Sequence, residues 1–178
     1  MFSLAVQNHE GDMADFDNEG GNGVAALRTC VVVRDRDGND ALGRLYTALA
    51  SAKHNRVQDL HDHDVIRTAL TDAGLPADRL DEALADHATF DRLVADHCAL
   101  VERTAAFGVP AIVLDGGDGP AIFGPVISNP TTSDDEARAL WEHTSWLTRY
   151  ENFSELKRDR IIDPDLESSR QYRARNKE

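Results

Sequence analysis

The chain has 178 residues, enough for one domain with a hydrophobic core or for a small domain that carries an insertion. Its 19 Lys and Arg residues against 32 Asp and Glu residues give a formal net charge of -13, which argues against binding to nucleic acid or to an anionic membrane. No apolar run approaches the roughly 20 residues that cross a bilayer, and the N-terminus has no basic region followed by an apolar run and a cleavage site, so we expect a cytoplasmic protein.

The first residues are predicted to form a strand that leads into a polar loop. Residues 1–6 are an apolar run of strand length, so the chain is expected to begin inside a sheet. The composition then changes to Asp, Glu, Asn and Gly over residues 7–23, and three glycines interrupt the end of this stretch. A flexible connection to a helical region is therefore expected.

Residues 24–36 allow two interpretations. The run Val31-Val32-Val33 favours a strand, whereas Val24, Leu27 and Val31 recur at helical spacing. We predict a helix here, followed by a turn at residues 37–40.

Four further helices are predicted up to residue 107. The first ends near Lys53, the second is capped by Asp62 or Asp64 and ends at Gly74, and the last begins at Thr89. The residues of the last two helices that are predicted to face inward are Leu80, Ala83, Leu84, Phe90, Leu93, Val94, Cys98 and Val101.

The C-terminal third is predicted to contain a β-hairpin and one helix. Two short apolar runs, residues 109–114 and 120–126, flank the Gly-rich turn 115–119. Ser133 and Glu136 fit a capping box at the start of an amphipathic helix. The segment from residue 167 to residue 178 has almost no apolar residue and is expected to be frayed or disordered.

The two cysteines form no recognisable redox or metal motif. Cys30 and Cys98 are far apart and match neither a Cys-x-x-Cys pair nor a zinc-ligand spacing. Both are predicted on the apolar side of a helix, where cysteine acts as a small hydrophobic residue. The His61-Asp62-His63-Asp64 run is interpreted as a solvated helix start, because adjacent helical residues point in different directions. The sequence thus predicts no metal site.

The order of elements and several short segments together resemble a known family. Gly108-Val109-Pro110, at the entry to the hairpin, resembles the cis-proline signature of thioredoxin-like proteins. The segments that match further lie throughout residues 1–160 and are Met1 to Asn8, Leu45-Tyr46-Thr47-Ala48, His54-Asn55, Phe123-Gly124-Pro125-Val126, Leu140-Trp141 and Phe153-Ser154-Glu155-Leu156-Lys157-Arg158. Together they resemble the mycothiol-dependent nitroreductase branch of the DsbA-like family.

The resemblance implies an α/β protein with a thioredoxin-like fold and an inserted helical domain. Residues 1–8 and 108–160 would form an incomplete thioredoxin-like core, residues 9–107 the polar loop and helical insertion, and residues 161–178 a polar tail. In the family, a strand delivers a Cys-Pro-x-Cys motif to a helix N-terminus that lowers the thiol pKa. This sequence contains no such motif. The first strand and the catalytic helix are therefore expected to be absent, through a start site assigned too late, which we favour, or a genuine truncation.

The same resemblance implies a thiol-disulfide oxidoreductase homologue that uses mycothiol or another low-molecular-weight thiol as co-substrate and has no bound cofactor. Val109 and Pro110 would shape the thiol-binding groove, Phe123 and Gly124 would support it, and His54 would face the thiol. No catalytic residue is expected within the chain. Two alternatives stay open: a non-catalytic binding or interaction module, and a thiol-dependent isomerase or transferase of the same superfamily. A homodimer is also an open alternative.

Overall fold

A computed structural model describes residues 23–104 and 109–176 of the chain. The strand predicted at residues 1–6, the loop that follows it and Gly108 lie outside the described residues. The helices are α1 (Val24–Asp37), α2 (Asn39–His54), α3 (His63–Asp72), α4 (Arg79–Ala85), α5 (Ala88–Thr104), α6 (Asp134–Arg149) and α7 (Glu167–Arg175). The strands are β1 (Ala111–Val113) and β2 (Ala121–Phe123). Within the described part, no helix is both long and apolar enough to span a bilayer.

Two compact units divide the chain. Of the described residues, one unit, the helical unit, comprises 23–99 and 166–176, and the other, the hairpin unit, comprises 100–104 and 109–165. These boundaries differ from the predicted ones, because the C-terminal segment belongs to the helical unit and the end of α5 belongs to the hairpin unit.

The core of the helical unit lies among α1, α2, α3 and α4. Apolar residues at helical spacing are fully buried there, including Leu45 on α2, Ile66 and Leu70 on α3 and Leu80 on α4. Val31, Val32 and Val33 are also buried. The predicted helix at residues 24–36 is thereby confirmed as α1, and burial of the whole valine run explains why its pattern also resembled a strand.

Backbone chemistry sets the ends of these helices. Gly38 alone separates α1 from α2, and its N–H donates to the carbonyls of Arg34 and Val33 at φ 87° and ψ 174°. That conformation is accessible almost only to glycine. The Asp62 side chain accepts from the N–H of Asp64 and so caps α3, as the sequence predicted.

Arg28, on α1, is the buried cation of the helical unit. Its Nε donates to Thr89 Oγ1 at 2.9 Å and its Nη2 to the carbonyl oxygen of Ala83 at 2.9 Å. The carbonyl of Asp86 accepts from the same Nη2 at 3.3 Å. A cation at the C-terminus of α4 satisfies carbonyls that have no partner within the helix and complements the helix dipole.

Three sequence predictions for the helices were wrong in part. Cys98 is exposed rather than inward, and Leu84 is 36% exposed. The apolar residues of α5 that pack against Val24 and Leu27 of α1 are Phe90, Leu93 and Val94, all in its first turns. The tail expected to be disordered instead forms α7, which packs against α2.

In the hairpin unit, β1 and β2 pair antiparallel with Ile112 opposite Ile122. The predicted hairpin is thereby confirmed. Ser133 Oγ accepts from the N–H of Glu136 and caps α6, while the Glu136 carboxylate reaches the N–H of Thr132 at 2.8 Å. The predicted capping box is thus present in a modified form, with its return bond one residue earlier. No residue of α6 is buried.

Candidate functional site

The candidate site is the entry to the hairpin, where the chain enters β1. The peptide bond between Val109 and Pro110 is cis, and Val109 is 61% exposed. The N–H of Gly124 donates to the carbonyl of Pro110 at 2.9 Å, so the strand pairing extends one residue beyond β1 and β2. Pro110, Phe123 and Gly124, three of the predicted site residues, are therefore neighbours in the structure.

The hydrogen-bond register shows which backbone groups of β1 are directed away from β2. Pro110 and Leu114 each bond across to β2 or its flanks, through the pairs with Gly124 and Pro120. Because bonded and non-bonded pairs alternate in an antiparallel ladder, the N–H and C=O groups of Ala111 and Val113 point to the opposite edge. Within the described residues, β1 pairs with β2 alone. We call Val109, Ala111 and Val113 the open edge.

Gly124 has a backbone conformation that residues with a side chain adopt only with strain. Its φ is +101°, in the region that favours glycine. The backbone conformation alone therefore explains why glycine occupies position 124, whether or not a ligand contacts it.

Two arginines hold the turn of the hairpin. Arg149, at the end of α6, forms a bidentate pair with Asp115 at 2.7 and 2.9 Å. Arg103 donates to the carbonyls of Gly117 and Gly119 at 2.8 and 2.7 Å. Hydrogen bonding from Arg149 lowers the pKa of Asp115, so the ion pair is present at neutral pH and keeps the turn of the hairpin at the end of α6.

A groove of about 280 Å³ lies beside the hairpin. Its walls come from β1, from the loop after β2 and from α6, and they include Ile112, Pro125, Ile127, Leu140, Trp141 and Thr144. Trp141 and Ile127 are both about half exposed. The groove is apolar and open, and it suits a flat or apolar group better than an ion.

His54, the remaining predicted site residue, belongs to the helical unit. It is the last residue of α2, it is half-buried, and its Nδ1 lies 3.4 Å from Ser168 Oγ of α7. The role that the resemblance implies for His54 stays a prediction.

A second depression, of about 390 Å³, lies in the helical unit. Arg44, Thr47 and Ser51 of α2 line it together with Asp72 at the end of α3. Thr47 belongs to one of the segments on which the family resemblance rests. The Nε of Arg44 donates to the carbonyl of Ala73 at 3.1 Å, so this arginine also closes the C-terminus of α3.

The surroundings of Cys30 disfavour thiol chemistry. Burial raises the pKa of Cys30 to about 12, so its thiol stays protonated at neutral pH and is a poor nucleophile. Cys98 is exposed on α5 and forms no disulfide with Cys30.

No metal site is apparent in the part of the chain that the structure describes, since no group of three or more His, Cys, Asp or Glu residues converges there. In the His61–Asp64 run, Asp62 caps α3 and His61 Nδ1 lies 2.9 Å from Asp59 Oδ1. These contacts account for Asp62 and His61 as parts of a helix start.

The sequence did not show which residues of the hairpin form the open edge, and it did not show the apolar groove beside α6. The alternation of bonded and non-bonded residues depends on the register of β1 and β2, which the sequence does not fix. The groove depends on how α6 packs beside the hairpin, which leaves Trp141 half exposed.

Comparisons with known proteins give a family. A family model described as Rv2466c-like, mycothiol-dependent nitroreductase Rv2466c, matches residues 1–158. Rv2286c, an uncharacterised protein of Mycobacterium tuberculosis, is 33% identical over 136 residues, which cover 76% of this chain and 56% of that protein. The chain therefore spans little more than half the length of this curated relative.

Proposed function

The chain belongs to the Rv2466c-like family of mycothiol-dependent nitroreductases, and on this basis we propose that it binds a low-molecular-weight thiol or its disulfide at the open edge of its hairpin. The thiol is mycothiol, from the family description. The binding residues are Val109 and Pro110, supported by Phe123 and Gly124. A thioredoxin-like, DsbA-like fold and a thiol-binding role for His54, within the helical unit, belong to the same proposal.

The observation that carries this proposal is the open edge itself. Val109 is exposed, and the described part of the chain offers no hydrogen-bond partner to its backbone or to the outward groups of Ala111. An unpaired strand edge binds extended peptide-like groups through main-chain hydrogen bonds. The amide of a cysteinyl thiol offers such a group, and the apolar groove beside β1 offers room for a flat acceptor.

The hairpin contains a matched pair of positions that tests the proposal. Ala111 and Ala121 each follow a proline, and both direct their N–H away from the partner strand, but on opposite edges of the hairpin. Proline at position 111 removes the proposed N–H donor, and proline at position 121 removes an equivalent N–H elsewhere. Neither change deletes a bond between β1 and β2.

We expect Ala111→Pro to weaken binding of mycothiol disulfide about tenfold, the effect of losing one well-made hydrogen bond. Ala121→Pro should bind as the unmodified chain does. Isothermal titration calorimetry measures both. Equal affinity of the two variants would show that the open edge is not the site.

The chemistry of the family also requires a cysteine thiolate. In thiol-disulfide exchange a thiolate attacks one sulfur of a disulfide, one S–S bond forms as the other breaks, and the second sulfur leaves as a thiolate. The pKa of Cys30, raised to about 12 by burial, makes it unfit for the attack. We therefore propose, as a second candidate, that this chain by itself is a non-catalytic binding module.

A thiol-disulfide exchange assay on this chain tests that second candidate. With mycothiol and a chromogenic disulfide, the rate should equal the uncatalysed rate, and Cys30→Ser and Cys98→Ser should leave it unchanged. A rate above background that either substitution abolishes would show that the chain is a catalyst.

A further inference from the structure

Helix α7 is ordered although its own sequence supports a helix poorly. It has nine residues, none of them buried, and consists mostly of Arg, Ser, Glu and Gln. An isolated helix of fewer than about 12 residues is marginal in water. Its order must therefore come from contacts with the rest of the helical unit, and it packs against α2.

The contact between α7 and α2 lies at the end of α2 that carries His54. Ser168, in the first turn of α7, places its Oγ 3.4 Å from Nδ1 of His54. The first turn of α7 is half-buried, as is His54, whereas Tyr172 farther along α7 is 69% exposed. The first turn, which lies beside His54, is thus less exposed than Tyr172.

We propose that α7 is an intramolecular cover over His54, which detaches to expose the imidazole and the end of α2 to a ligand. The contact is small and polar, so opening costs little free energy and a ligand with modest affinity for the uncovered end of α2 displaces α7. The inference rests on the proposed function only in assigning His54 to ligand binding. The covering contact itself is independent of that assignment.

Two proline substitutions in the full chain distinguish an open from a closed α7. Gln171→Pro removes an N–H inside the helix and breaks it. Glu167→Pro places proline at the first helical position, after Leu166 at φ -119° and ψ 144°, where both the helix and the residue before proline tolerate it. The second variant is the matched control.

Diethyl pyrocarbonate, which modifies accessible imidazoles, is the probe, and peptide mapping by mass spectrometry reports the rate at His54. We expect the rate to rise about twofold or more in Gln171→Pro, because α7 then stays unfolded and His54 stays exposed, instead of being exposed only when α7 opens. Glu167→Pro should match the unmodified chain, and His61 should react equally in all three. Equal His54 rates in all three proteins would overturn the cover.

Calorimetry with mycothiol disulfide on the same variants separates this inference from the proposed function. Tighter binding to Gln171→Pro than to Glu167→Pro supports α7 as a cover that a ligand must displace. If His54 reacts faster in Gln171→Pro while the disulfide binds all three proteins equally, the cover stands and the assignment of His54 to the thiol site fails.

Discussion

Arg28 is the single residue on which the helical unit depends most clearly. It is 7% exposed and reaches the carbonyls at the end of α4 as well as the hydroxyl of Thr89. Thr89 in turn donates to the carbonyls of Ala83 and Asp86 at 2.9 and 2.8 Å. This arrangement joins α1, α4 and α5, and helix α4, with seven residues, is too short to be stable alone.

Replacing Arg28 by methionine tests this role. Arg28→Met keeps the length of the apolar stem but removes every hydrogen bond of the guanidinium, so we expect a loss of about 2 to 3 kcal/mol in unfolding free energy. Arg36→Met is the control, because Arg36 lies on α1 as Arg28 does, but its side chain is 64% exposed where it pairs with Glu82 of α4. An exposed pair contributes about 0 to 1 kcal/mol. Urea unfolding followed by circular dichroism measures both. Equal losses would contradict the role of Arg28.

The individual residues of the candidate site also show which features the sequence could predict and which it could not. Val109, Pro110, Phe123 and Gly124 were predicted from short motifs, and the structure brings the last three together through one hydrogen bond at the hairpin entry. Cys98 was wrongly predicted to face inward. Helical spacing identifies the apolar side of α5, but it does not show at which residue the packing against α1 ends.

At the scale of elements, two glycines near the start of α2 have opposite roles. Gly38 has φ 87° and ψ 174° between α1 and α2, whereas Gly43 lies inside α2 with no atom within 4 Å of an added Cβ. A side chain at position 38 is therefore strained, while one at position 43 meets open space and reduces the conformational freedom of the unfolded chain.

We expect Gly38→Ala to lower the unfolding free energy by about 1 to 3 kcal/mol and Gly43→Ala to raise it by about 0.5 to 1 kcal/mol. Thermal unfolding of the two variants beside the unmodified chain measures the difference. A stabilising effect of Gly38→Ala would contradict the positive φ at position 38 between α1 and α2.

The clamp between the hairpin turn and α6 predicts a dependence on pH. Arg149 holds the pKa of Asp115 below its usual value, so the pair contributes stability above the unfolded value of about 3.9. That contribution is lost as the pH falls through the lowered pKa. Between pH 7 and roughly pH 3, the unmodified chain should lose more stability than Asp115→Asn does.

Asn tolerates the positive φ of 53° at position 115, so Asp115→Asn removes the charge with little change to the backbone. Asp118→Asn, in the same turn, is the control, since Asp118 forms no ion pair in the described part of the chain. Urea unfolding at several pH values gives the comparison, and identical pH profiles for Asp115→Asn and the unmodified chain would contradict a stabilising pair.

At the scale of the whole molecule, local patterns predicted elements better than their assembly. The hairpin, the cap at Ser133 and the helices α1 to α6 followed from turn chemistry and apolar spacing. Helix α7 did not, because it has no apolar stripe and its order depends on α2. Residues 166–176 group with the helical unit through long-range contacts, which no local sequence pattern predicts.

The two units enter the proposal separately. Within the described residues, the hairpin unit presents a strand edge that pairs with no further strand, beside an apolar groove, and the helical unit contains Cys30, whose thiol pKa is raised by burial. Binding of a thiol compound, which we propose for the hairpin, is therefore a property distinct from a redox step.

The most direct test of that account is a map of amide chemical shifts in the full chain as mycothiol disulfide is added. We predict that the amides of Val109, Ala111 and Val113 shift, while those of Ile112 and Leu114, which are directed toward β2, shift less. Shifts confined to the helical unit, or no shifts at the open edge at saturating concentration, would contradict the account.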